Sequence, residues 1–177
     1  MQFPTETITK LDAARRQLRE AILLFLEGRD LVAVHTLASA ALQVLADLGK
    51  LTEVKSLLKS AHYIREEKKK EWHAIMGTAQ NFFKHADKDP QATLAFHPSA
   101  TPFYMLDAVL MFNQIAKYAF PVGSAYLTWF YLTYPDLLEE GAVKQYSLQA
   151  LATGLDPKDR STFLAFALKH ESTANGV

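Results

Sequence analysis

An all-α fold, a single-domain bundle of about six to eight helices, is what the apolar pattern predicts. Apolar residues recur at three- and four-residue spacing along most of the 177-residue chain. No segment alternates apolar and polar residues between paired turn signals, as a half-buried strand would. Hydrophobic residues make up 49% and charged residues 21% of the chain, enough for a full core and too little polarity for a long disordered segment. At this length a compact fold removes roughly 70% of the unfolded surface from water.

Each element follows from local signals. Thr9, with Asp12 three residues on, resembles a capping box, and Leu11, Ala14, Leu18, Ala21, Ile22 and Phe25 then mark one helical face as far as Gly28. Asp30 is placed to cap a second helix that Gly49 stops. Its only polar stripe is Thr36, Ser39, Gln43 and Asp47, so it belongs at the centre of the bundle. Thr52 opens a third helical region through Val54, Leu57 and Leu58, irregular from Ser60 to Tyr63. The stretch Ile64 to Ala86 reads as one long helix, stopped by Asp87 to Pro90. After a connector over 91–100, Thr101 caps a helix with Pro102 at its first position, running to about Tyr118. Pro121 starts a short helix that ends before Pro135. A further helix covers Leu137 to Ala152, and Asp156 with Pro157 opens the last, to His170. Residues 1–90 form one helical core and 101–177 the helices that complete the bundle.

Composition removes several function classes. There is no cysteine, hence no disulfide, thiolate metal site or cysteine nucleophile. Met1 to Lys10 lacks a basic stretch followed by an apolar run, so no cleaved secretory signal is expected and the expected location is the cytoplasm. Tyr118 to Pro135 is uncharged, but Pro121, Gly123 and its tyrosines favour a buried aromatic helix pair over a membrane span, and no membrane contact is expected. Lys plus Arg number 19, as do Asp plus Glu, so any nucleic-acid binding must use a local patch. Absence of a glycine-rich phosphate loop, a Gly-x-Ser-x-Gly elbow and a His-Glu-x-x-His helix disfavours the familiar nucleotide hydrolases, serine hydrolases and zinc peptidases. No cofactor is expected.

The stretch most suggestive of chemistry is Ala79-Gln80-Asn81-Phe82-Phe83-Lys84-His85-Ala86, late in the long helix. At 100° per residue, Trp72, Ile75, Met76, Ala79, Phe82, Phe83 and Ala86 fall on a core side. His73, Gly77, Gln80, Asn81, Lys84 and His85 fall opposite. Asn81 and His85 are one turn apart, able to hold one group between them, and His85 can move a proton near neutral pH. A solvated helix end with a histidine near the C-terminal dipole is the structural alternative.

The run Asn81-Phe82-Phe83-Lys84-His85 resembles the motif of the HEPN superfamily (higher eukaryote and prokaryote nucleotide-binding domains), in which an arginine, often followed by asparagine, precedes a histidine. It also resembles a bacterial group carrying Asn-Phe-Phe-Lys-His-Ala-Asp, a likeness that supplies no activity. The HEPN resemblance spans residues 1–90. It implies metal-independent endoribonuclease chemistry at a composite site between two protomers, with Asn81 and His85 as the catalytic pair. The motif arginine is replaced by Gln80, which lacks the permanent charge that holds a scissile phosphate. The expected function is therefore binding of RNA or a nucleotide, with ribonuclease activity weak or absent. Lys84, Gln80 and His73 are the expected binding residues.

Other candidates are weaker. His35 lies in the most apolar helix beside Thr36 and Ser39, either as a hydrogen-bonded core histidine or as the polar group of a small pocket. His85, Asp87 and Asp89, with His62 or His73, match no metal-ligand spacing, and Asp87-Lys88-Asp89-Pro90 serves equally as a turn, so no metal is expected. Arg65 and Lys68 to Lys70 alternate with Glu66, Glu67 and Glu71 as a solvated face does. Tyr118, Phe120, Tyr126, Trp129, Phe130, Tyr131 and Tyr134 are too many for one helix pair to hide, which predicts an interface and a homodimer. The alternative function is accordingly a non-catalytic dimerisation or protein-interaction module.

Overall fold

Helix capping settles the first half of the molecule, as the computed structural model shows for residues 3–60, 64–87 and 89–174. Thr9 Oγ1 accepts the Asp12 N–H at 3.1 Å and α1 runs Lys10–Leu26. Gly28 follows at φ 72°, a left-handed turn that costs glycine nothing. Asp30 accepts from the Val32 and Ala33 amides and opens α2, Leu31–Thr52. This helix runs past Gly49 rather than stopping there. A Cβ on Gly49 would lie 2.3 Å from the Val54 carbonyl oxygen and 2.8 Å from Met111 Cε, so the glycine permits close approach rather than termination. Glu53, at φ 59°, ends the helix instead.

Residues 53–60 do not form the expected third helix. They wrap around the carboxylate of Asp107, which accepts the Ser56 hydroxyl at 2.5 Å and the Leu57 and Leu58 amides at 3.0 and 2.9 Å. Three donors on one buried acceptor outweigh the modest helical propensity of so short a stretch. His62 and Tyr63 lie outside the described residues.

The second half alternates helices with proline-marked turns. α3 is shorter than expected, Lys69–Phe82, after a single 3₁₀ turn at Glu66–Lys68. α4 spans Thr101–Ala116 and α5 Pro121–Thr133. Thr101 is not a cap: a 3₁₀ turn at Pro98–Ala100 precedes it, and its hydroxyl turns inward to His35. α6, Ala142–Ala152, starts later than expected, behind a 3₁₀ turn at Pro135–Leu137. α7, Arg160–Ala174, begins after Asp159, whose carboxylate accepts the Ser161 amide and the Ser161 and Thr162 hydroxyls.

Among the described residues there are thus seven α-helices and no strand. α1 packs on α2, α2 on α4, and α5 on α7, so helices from both parts of the chain share one core. Leu18, Ile22, Phe25, Leu42, Met105 and Phe112 lie at its centre, each burial worth roughly 1.5–3 kcal/mol. α2 is long and apolar enough to cross a bilayer by length and composition, yet it is the helix both α1 and α4 pack against. The bidentate ion pair of Arg19 with Glu171 ties α7 to α1, and Arg160 lies 4.0 Å above the Phe25 ring while donating to the Phe25 carbonyl.

The aromatic cluster is buried as expected of a core helix pair, but it leaves no exposed surplus of the kind from which an interface is expected. Phe120, Tyr126, Trp129 and Phe130 are all buried, and Tyr118 alone of the seven is exposed. Edge-on contacts with Phe25, Phe103 and Phe112 from α1 and α4 supply the extra cover that a helix pair lacks.

Candidate functional site at the end of the third helix

Two hydrogen bonds and one aromatic contact decide which way α3 faces. Trp72 Nε1 donates to the Leu58 carbonyl at 2.7 Å, the Tyr104 hydroxyl donates to the Met76 carbonyl at 2.7 Å, and Phe83 packs edge-on against Phe96. Trp72, Met76, Ala79 and Phe83 therefore point inward, spaced as one helical face. Ile75, assigned to the core side by sequence, is 58% exposed, and Phe82 and Ala86 are also exposed.

Gln80 is correspondingly misassigned: it is buried, not on the open face with Asn81 and His85. Its Oε1 lies 3.4 Å from Lys59 Nζ, at the long end of hydrogen bonding. His73 is exposed but takes no part in the groove below it, lying about 12 Å along the helix axis from Asn81.

Asn81 and His85 do share a concavity. An open groove of about 590 Å³ is lined by Thr78, Asn81, Phe82, His85, Asp87 and Asp89. The chain leaves the helix here, with the Lys84 and His85 amides both donating to the Asn81 carbonyl at 3.2 and 3.1 Å. His85 thus sits just past the helix rather than within it. Among the described residues neither its imidazole nor the Asn81 amide has a hydrogen-bond partner, and no group of three or more His, Asp and Glu side chains converges.

Outside the groove lining, near Gln80, two lysines that sequence spacing does not pair act on each other's charge. Lys59, from the loop clamped by Asp107, is half-buried, and Lys84 is near enough to act on its charge. Burial first, and then the Lys84 ammonium, hold the Lys59 pKa below its ordinary value, with Asp47 and Asp107 offsetting part of the effect. Among the described residues neither lysine has a carboxylate within ion-pair distance; Asp47 is bound to Lys50, and Asp107 to the loop.

His35 occupies a different place. Its Nδ1 is 3.1 Å from Thr101 Oγ1, and the ring is boxed by Tyr104 at 4.6 Å, Phe96 at 5.3 Å and Phe83 at 6.1 Å. Thr36 and Ser39, its sequence neighbours, bond carbonyls of their own helix instead. Burial, and next the positive charge of Lys59, lower its pKa to about 4. The unfolded chain takes up this proton near pH 6.5, the folded chain only near 4, so acidification through that window favours unfolding. On the order of 3 kcal/mol should be lost between those limits. Urea unfolding at about pH 4.5 and 7.5 checks this: His35→Phe should show a smaller loss on acidification than the wild type, and equal losses would refute the assignment.

No family model, curated protein or solved structure matches the chain. Its own residues are the guide to its chemistry.

Proposed function

We propose that this protein binds single-stranded RNA or a nucleotide in the groove at the end of α3, as a HEPN-like homodimer in which binding outweighs cleavage. The observation that carries the reading is the Asn81–His85 groove, whose amide and imidazole have no hydrogen-bond partner among the described residues, together with Lys59 and Lys84, two lysines that act on each other's charge near Gln80 and have no carboxylate partner among the described residues. A phosphate placed there relieves their mutual repulsion. The groove supplies what a base or ribose needs: the Asn81 amide and His85 imidazole as donors and acceptors, and the exposed Phe82 ring as a stacking surface. Asp87 and Asp89 line the same groove, so they repel a phosphate from it and leave the lysine side as the place for the backbone. Cleavage is disfavoured because the motif's arginine position is a glutamine turned inward, leaving no guanidinium on the scissile phosphate.

The test is fluorescence anisotropy with labelled single-stranded RNA, without metal, on a sample whose mass is measured by light scattering. We expect a dimer that binds RNA, at least about tenfold weaker binding for His85→Ala at an unchanged melting temperature, and no accumulation of cut product. Replacing both Lys59 and Lys84 by alanine should reduce the slope of log affinity against log salt by about 0.7 for each phosphate they cease to neutralise. Unchanged affinity in His85→Ala would sink the proposal.

The alternative, a protein-interaction module, is favoured by a different surface from the one the aromatics suggested. Val143 and Tyr146 of α6 are 52% and 68% exposed, one turn apart on the same face. If that face joins two copies, Tyr146→Glu converts the dimer to monomer while leaving RNA affinity per chain unchanged.

A further inference from the structure

His35 and the space beside it differ in chemistry from the groove at the end of α3, although Thr78 lines both. A largely apolar pocket of about 270 Å³, partly open to solvent, lies between α2, α3 and the 91–100 connector, with His35, Met76, Ala79, Leu94, Phe96 and Tyr104 among its walls and Thr78 and His97 also in its lining. His35 is 2% exposed, and its Nε2 is buried with no hydrogen-bond partner. Gln17 Oε1 and Asn113 Oδ1 are also buried without a partner, but only the unmet atom of His35 belongs to a residue that lines this space.

The proton on the ring can be placed by counting. If Nδ1 carried it, the Thr101 hydroxyl would accept, leaving its own hydrogen and the Nε2 lone pair both unmet. If Nε2 carries it, Thr101 donates to Nδ1 and only the Nε2–H is left over. The second arrangement strands fewer groups, so the ring presents a donor. Burial keeps the imidazole neutral near pH 7, so it attracts no anion by charge. The Tyr104 hydroxyl already donates to the Met76 carbonyl and offers the cavity no second donor.

We propose that this cavity binds a small, uncharged, largely apolar molecule whose single hydrogen-bond acceptor, a ketone, aldehyde or ester carbonyl, takes the Nε2–H of His35. Size agrees: an enclosed apolar cavity of about 150 Å³ holds benzene, and this partly open pocket of about 270 Å³ has room for a ring bearing a short side chain. Exposed Ile75 extends the apolar lining to the rim, where it is joined by the polar Thr78, whose hydroxyl donates to the Ala74 carbonyl, and by His97. Water is kept from Nε2 by the surrounding rings, so binding has to displace one ring edge. Phe96 is the one carried on the connector rather than on a helix or its end, and its ring meets His35 at 73°.

Acetophenone and ethylbenzene make the test, because they differ in the carbonyl and little in shape. Titrated into the ¹⁵N-histidine-labelled full chain, acetophenone should bind saturably, move the His35 ring nitrogen signals, and bind about five- to tenfold tighter than ethylbenzene. His35→Phe should erase that preference. Ala79→Phe, which fills the cavity from α3 and leaves His35 in place, should abolish binding of both and keeps the test available if the histidine variant does not fold. Failure of both compounds to bind, equal affinities, or a preference that survives either substitution would overturn the proposal.

Discussion

Asp107→Ala should lower stability by about 3–5 kcal/mol, because three donors lose their common acceptor at once. The Ser56 hydroxyl and the Leu57 and Leu58 amides converge on a carboxylate that is 1% exposed. Alanine leaves them unpaired next to an empty space where water has poor access. Asp107→Asn keeps one acceptor oxygen but turns an amino group toward a donor, so its loss should fall between the wild type and alanine. Urea unfolding followed by circular dichroism measures the difference, and limited proteolysis should show new cleavage within 53–60. A loss under about 1 kcal/mol for alanine would mean that water replaces the carboxylate. The same variant releases Lys59, so RNA affinity should fall with it if the proposed lysine pair binds phosphate.

Trp129→Ala is expected to cost about 3–5 kcal/mol, the range for removing a large buried aromatic side chain. The indole packs against Phe25 at 4.7 Å and Tyr126 at 5.5 Å, and its Nε1 donates to the Pro157 carbonyl at 3.0 Å. Removing it opens a cavity between α1 and α5 and frees the turn that leads into α7. Thermal unfolding by circular dichroism gives the magnitude. Light scattering on the folded fraction should show no change of mass, since the side chain is internal; a dimer that falls apart while its monomers stay folded would contradict that placement.

How much was legible depended on whether the deciding interaction was local. α1, the start of α2 and the start of α5 were readable from Thr9, Asp30 and Pro121, because a cap or a first-turn proline acts within three residues of itself. The rotation of α3 was not, since it is set by Leu58 and Tyr104, 14 and 28 residues away from the positions they bind. Its pattern offered two apolar faces, one through Met76 and Phe83 and another through Ile75 and Phe82, and periodicity cannot choose between them. Lys59 carried no motif at all. Asp107 did leave a signal: it is the lone charged residue of α4, and a lone charge in an apolar helix must find donors elsewhere in the chain.

By itself the sequence determined that the chain is helical and where most helices begin. These follow from spacings of three and four residues and from side chains bonding to their own backbone. The tertiary structure alone decided that Gln80 turns inward, that Trp129 is interior, that His35 meets Thr101, and that Lys59 comes beside Lys84. Each of those pairs residues distant in the chain, and the energy that selects one pairing over another arises only once the intervening helices have packed.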